Sequence, residues 1–191
     1  MTGVQTCALP ILEKVHKAGA RFDFEKAKWF NHQYLKNRPD EELALAIKPM
    51  VEAKGYTFDL TFTTGFCRLM KERAVYLNDL LEQGYYFFVD IHTYDLDTLK
   101  KKYNSEKRGI FDKITAAIEA TTDQTPTGFD HSVKEVLTAN GLKPGEVMPV
   151  LRLALAGTMQ GPAVFDMIAL LGKEKTVARL KKSFDYFDTV K

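Results

Sequence analysis

The chain holds 191 residues, enough at roughly 150 per domain for one large or two small units with a real core. Its 45% hydrophobic and 27% charged residues exclude a disordered or collagen-like chain. With 27 Lys and Arg against 25 Asp and Glu, a polyanion partner has to be argued from position rather than from net charge.

No apolar run approaches the roughly 18 residues of a membrane-spanning helix; the best, Val147 to Leu155, is interrupted by Arg152. Cys7 and Cys67 stand far apart and outside any Cys-x-x-Cys pattern, so neither a disulfide framework nor a zinc knuckle is expected and a reducing cytoplasm is. The first eleven residues, MTGVQTCALPI, lack the basic and apolar regions of a signal peptide and join the next segment without turn logic. They resemble the translation of a sequencing-library adapter, which implies a truncated reading frame with an upstream part missing; a natural flexible tail is the alternative.

From Asp23 onward apolar residues recur at helical spacing. Asp23 is placed to cap a helix carrying Phe24, Ala27, Phe30 and Tyr34, and a second helix opens at Pro39 with Asp40, Glu41 and Glu42 in its first turn and stops at Gly55. Phe62 to Leu81 reads as one long helix. The aromatic run Tyr85 to Ile91 has strand composition but no partner strand, and is expected to plug the space between two helical layers. Six more helices follow: Asp95–Tyr103, Arg108–Ala120, Thr127–Asn140 with Thr127 and Asp130 as a capping box, Pro144–Ala156, Pro162–Leu171 and Lys173–Phe187. The expected fold is all-α, a bundle or cage of about nine helices in two subdomains parted near Val89 to Tyr94. The segments are a leader at 1–11, a remnant of a joining segment at 12–37, and helical units at 38–90 and 91–191.

Catalytic signatures are missing from the sequence. His16, His32, His92 and His131 are scattered, and no phosphate loop, dinucleotide fingerprint or nucleophile elbow occurs. The carboxylates of Asp40, Glu41 and Glu42 suit a helix start better than acid–base work. The cations remain: Arg68, Lys71 and Arg73 around one helix, Lys100 to Lys102 with Lys107 and Arg108, Lys134, and the last helix with Lys173, Lys175, Arg179, Lys181 and Lys182. Taken singly these read as solvated helix faces. Arg152 differs, because it sits among Val150, Leu151, Leu153 and Leu155, where a guanidinium is costly unless it reaches a surface or a partner. Beyond it, Gly161 and Pro162 feed a helix start whose free N–H groups suit an RNA backbone or base edge.

Three segments together resemble one family: Gly19 to Leu35, Leu69 to Leu80, and Leu151 to Glu174. In order and spacing across residues 12–191 they are similar to the C-terminal, anticodon-binding half of bacterial glutamyl-tRNA synthetase, a class I ligase. Its His-Ile-Gly-His and Lys-Met-Ser-Lys-Ser type motifs do not occur here. The resemblance implies an all-helical reader of tRNA(Glu) that acts as a monomer and has no business with DNA or membrane. It implies no cofactor for this portion, and ATP with Mg²⁺ for the complete enzyme.

Residue by residue, the resemblance puts Arg73 where the third anticodon nucleotide is read. A guanidinium offers only donors, which suit the O2 and N3 acceptors of cytosine and conflict with the N1–H and N2–H₂ donors of guanine. Glutamate anticodons end in cytosine and glutamine anticodons in guanine; members that charge both tRNAs carry glutamine at this place. Arg152, Lys134 and the turn Gly161, Pro162, Ala163, Val164 match further anticodon contacts, with Val164 packing on a base edge. Some relatives place Thr before the proline and Gly-Leu after it, so this turn is expected to act through its backbone. Trp29 reads as core first and tRNA contact second. The rival reading is a helical protein-interaction module in which Arg152 and the Pro162 turn grip an acidic peptide.

Overall fold

The computed structural model describes residues 22–190, and the leader and the first part of the Gly19 segment lie outside them. Among the described residues the chain is all-α, with no strand and ten α-helices. In chain order these are α1 (Phe24–Asn37), α2 (Asp40–Ala53), α3 (Leu60–Met70), α4 (Leu77–Gln83), α5 (Leu96–Lys102), α6 (Arg108–Ala120), α7 (Pro126–Ala139), α8 (Pro144–Ala156), α9 (Val164–Leu171) and α10 (Lys173–Phe187). Two short 3₁₀ turns, Tyr85–Phe87 and Ser105–Lys107, join them.

Helix ends follow local chemistry. The Asp23 carboxylate accepts the amide N–H groups of Glu25 and Lys26 at 3.0 and 3.1 Å, capping α1. Asp59 does the same for Phe62 at 2.7 Å in α3. Gly157, at φ +73°, ends α8 in the left-handed conformation glycine tolerates best; a side chain there would also strike the Thr93 carbonyl, only 2.4 Å from the would-be Cβ.

Two boundaries differ from expectation. The helix α7 starts from Thr125, whose hydroxyl takes the Gly128 N–H at 3.1 Å, rather than from Thr127, because Pro126 fits the first helical position. The helix α9 starts at Val164, two residues beyond Pro162.

The larger correction is that residues 62–81 form two helices, not one. The Asp79 carboxylate claims the amides of Val75 and Tyr76 at 2.8 and 2.9 Å, while the Asn31 side chain donates to the Val75 carbonyl and the His32 ring meets the Ala74 carbonyl. Backbone groups engaged in this way are withdrawn from the helical ladder. The break converts the stretch from Lys71 to Tyr76 into a turn and carries Arg73 out of a helix.

The core is continuous. Helices α2 and α3 pack together, α6, α8 and α9 pack on α10, and α7 packs on α6 and α9. The expected plug is real: Tyr86 and Phe87 are fully buried, with Phe87 edge-on to Phe66 at 5.6 Å and Phe88 stacked on Tyr56 at 5.4 Å. Trp29, expected in the core, is 57% exposed, as are most of its neighbours on α1. That helix reaches the rest of the chain through Asn31, His32, Leu35 and the Lys36–Glu72 ion pair, leaving its aromatic stripe facing outward.

Arg179 is the other surprise. It belongs to the cationic last helix, yet it is 6% exposed. Its Nη1 donates to the carbonyls of Tyr86 and Leu155, both at 2.8 Å, and its Nη2 to that of Val89 at 2.9 Å. Burial holds its pKa below the usual arginine value. One planar fork thereby ties the aromatic turn to the end of α8.

Replacing Arg179 with Met strands these three carbonyls, so we expect Arg179→Met to lose about 3 kcal/mol in urea unfolding, with the charge-conserving Arg179→Lys in between. Acid should expose a second set of ties. Burial would raise the carboxyl pKa of Asp188, but hydrogen bonds from Tyr103 and Arg108 prevail and lower it; at Asp40, Lys71 and Arg68 prevail over burial in the same way. A lowered folded-state pKa contributes stability that is complete above the unfolded carboxylate value of about 4 and fades as pH falls through the folded value. Unfolding midpoints should therefore drop below about pH 4, and less steeply in Asp188→Asn.

Candidate nucleic-acid interface

The turn after α3 and the turn before α9 face each other across a cleft of about 410 Å³. Arg73 and Gln83 line one wall, Arg152, Gln160 and Gly161 the other, over Met70. None of the lining residues is acidic.

The two arginines have different environments. Arg73 is exposed, and among the described residues its guanidinium has no hydrogen-bond or ion-pair partner. Arg152 is half-buried; both hydrogens of its Nη1 are spent on the carbonyls of Gly161 at 3.0 Å and Pro162 at 2.5 Å. Its Nε and Nη2 have no partner among the described residues. Burial lowers the Arg152 pKa, and the nearby charge of Arg73 lowers it further.

Other described arginines are neutralised or consumed. Arg38 pairs with Glu42, Arg68 with Asp40, and Arg108 with Asp112, Asp185 and Asp188, while Arg179 serves the fold. Two guanidiniums facing one acid-free cleft form an electrostatic sink for a ligand rich in acceptors or negative charge.

The turn that holds Arg152 has no room for variation at Gly161. This residue adopts φ +138°, and a Cβ on it would lie 2.6 Å from the Tyr86 hydroxyl. The turn is anchored at its other end, where the Asp95 amide donates to the Gly157 carbonyl at 2.9 Å.

Of the residues singled out in the sequence, the structure brings Arg73, Arg152 and Gly161 together. Pro162 is buried beside them and contributes its carbonyl to Arg152. Ala163 is exposed at the start of α9, which has no side-chain cap. Val164 is only 5% exposed, so its side chain belongs to the core and offers no surface to a base edge in this conformation. Lys134 does not line the cleft; it lies on the exposed face of α7, with its ammonium on Asp130 at 2.6 Å. Sequence reasoning missed Gln83 and Gln160, isolated amides with no pattern to mark them.

A larger hollow of about 550 Å³ between α6 and α7 is lined by Asp123, Glu135, His131 and several hydroxyls. Its carboxylates make it a poor seat for phosphates.

Comparison with known proteins identifies the family. The family described as "Anticodon binding domain" matches residues 23–184. The glutamate–tRNA ligase of Flavobacterium johnsoniae is 38% identical over 172 residues, covering 90% of this chain and 34% of that protein. The glutamate–tRNA ligase of Porphyromonas gingivalis is 33% identical over 174 residues, covering 91% and 34%. Among solved structures, a glutamate tRNA ligase from Elizabethkingia meningosepticum in complex with its amino acid superposes with a TM-score of 0.86 at 35% identity, over 95% of this chain and 35% of that one. A glutamate-tRNA synthetase from Elizabethkingia anophelis gives 0.81 at 35% identity, over 92% and 34%. The chain spans about a third of the length of the curated relatives it matches. With the family's pattern running from α1 through most of α10 and the fold shared over most of the chain, this chain belongs to the anticodon-binding domain family.

Proposed function

We propose that this chain is the anticodon-reading portion of a glutamate–tRNA ligase, and that the cleft between Arg73 and Arg152 receives the anticodon of tRNA(Glu). The observation that carries this reading is the pair of guanidiniums without carboxylate partners lining one cleft. In single-stranded loops bases splay out and expose their Watson–Crick edges, which side chains read by hydrogen bonding. Arg73 presents donors only. Cytosine at the third anticodon position answers them with O2 and N3, whereas guanine brings N1–H and N2–H₂ against them, leaving donors facing donors where water is partly excluded.

Arg152, half-buried and held by the Gly161 and Pro162 carbonyls, supplies a fixed second donor set, and its restrained geometry lowers the ordering cost of binding. Ala163 and the uncapped start of α9 add backbone N–H groups to the same rim. Lys134 acts at a distance from the cleft as a phosphate contact once released from Asp130. Residues 38–90 and 91–191 form the two subdomains of the reader, the first bringing Arg73 and the second Arg152.

The parent enzyme works in the cytoplasm as a monomer, activating glutamate with ATP and Mg²⁺. This portion binds; it does not charge.

Filter binding with unmodified transcripts of glutamate and glutamine tRNA at two salt concentrations tests the reading. The glutamate transcript should bind more tightly, and both affinities should fall with salt as counterions are released. Arg73→Gln should cut the preference for cytosine over guanine at the third anticodon position by about tenfold, with little change in unfolding midpoint because Arg73 has no partner to lose. An acidic peptide that binds as well as the transcripts, or binding blind to the anticodon, points instead to a protein-interaction module.

A further inference from the structure

Tyr86 is fully buried, and its hydroxyl has no hydrogen-bond partner among the described residues. The ring has nowhere to turn. It is wedged against Phe87, with centroids 4.9 Å apart, and against Tyr85 at 5.7 Å, and its own carbonyl is held by Arg179 at 2.8 Å. The hydroxyl points at Gly161, a cleft-lining residue, and lies 2.6 Å from where that residue's Cβ would stand; Arg152 Nη1 is 3.5 Å from the same point. An unpaired buried hydroxyl is a standing cost, and this one is aimed at the turn that a ligand in the cleft would touch.

We propose that Tyr86 is a specificity-determining residue of the cleft, its hydroxyl unpaired in the free protein and acquiring its hydrogen-bond partner only when a nucleotide seats between Arg73 and Arg152. This rests on the anticodon reading of the same cleft. Gly161 makes it possible, since with no side chain on that residue only backbone separates the hydroxyl from the occupant or from a water the occupant brings. Burial raises the phenol's pKa to about 12 despite the opposing charges of Arg152 and Arg73, so the group stays an O–H donor throughout the pH range of binding. A cytosine that fits between the guanidiniums seats deeply enough to supply an acceptor; a guanine held off by Arg73 does not. The phenol therefore adds to the preference that Arg73 sets, without itself lining the cleft.

Tyr86→Phe removes one oxygen and keeps the packed ring. Against transcripts that differ only in the third anticodon nucleotide, it should bind the cytosine-ended one about three- to tenfold more weakly, the worth of one hydrogen bond, and the guanine-ended one unchanged. Its urea midpoint should stay level or rise, because the free protein loses an unpaired polar group. A residue that merely supports the fold would show the reverse, a lower midpoint with the preference intact. As a spectroscopic check on an otherwise intact protein, 3-fluorotyrosine at position 86 should show a ¹⁹F shift with the cytosine-ended transcript and none with the guanine-ended one. If the unaltered chain discriminates and Tyr86→Phe discriminates equally, or the ¹⁹F resonance does not respond, the role of Tyr86 is overturned while the anticodon reading stands. If the unaltered chain binds both transcripts alike, both are overturned.

Discussion

The cleft exists because one buried guanidinium holds two distant pieces of chain in register. Arg179 reaches from α10 to the carbonyls of Tyr86 and Val89 on one side and of Leu155 on the other. Leu155 lies one turn beyond Arg152 on α8, and Tyr86 lies just beyond α4, whose last residue, Gln83, lines the opposite wall. A carboxylate partner would have neutralised Arg179 at similar desolvation cost. Three carbonyls leave the charge in place and use the planar fork for geometry. The walls are therefore set relative to each other by the same bonds that satisfy three otherwise orphaned backbone acceptors.

Given that frame, the charge distribution divides into structural and available cations. Surface arginines meet carboxylates wherever the fold needs a tie, as Arg108 does with three aspartates between α6 and the end of α10. Around the cleft this pattern stops. Arg73 and Arg152 line it without a carboxylate partner among the described residues, Arg152 held only by the carbonyls of Gly161 and Pro162, which favours an acceptor-rich occupant. Net charge over the whole chain hides this, because the effect of two guanidiniums on one cleft is local.

Much of the fold is legible in the sequence, and the misses have physical causes. Asp23 and Gly55 act through local backbone chemistry and are readable one by one. The break between α3 and α4 is not, since Asn31 and His32 come from more than forty residues away to take the carbonyls that a helix would have used. Arg179 is indistinguishable by pattern from its cationic neighbours on α10, because burial depends on what packs over a face and not on the face's own composition. Trp29 errs in the opposite direction: its stripe is apolar, and no described element covers it. At the site, Arg152 is visible as a charge in an apolar run and Arg73 through the family resemblance, while Gln83 carries no signal and Gln160 only its place in the loop ahead of Pro162.

The break at Lys71 to Tyr76 has a functional reading that helical periodicity obscures. On a continuous helix Arg73 would be one of several cations around a cylinder, free to pair with a carboxylate a turn away. In the turn it lies apart from that register, opposite Arg152, and remains unpaired. The facing turn works by a complementary exclusion. Gly161 can bear no side chain while Tyr86 lies beneath it, so the hydroxyl that a threonine would add before the proline has no room here, and at this position the turn presents backbone alone. The two guanidiniums thus stand on differently held supports: Arg73 on the turn whose Val75 and Tyr76 amides Asp79 takes, and Arg152 held by the two carbonyls that follow Gln160.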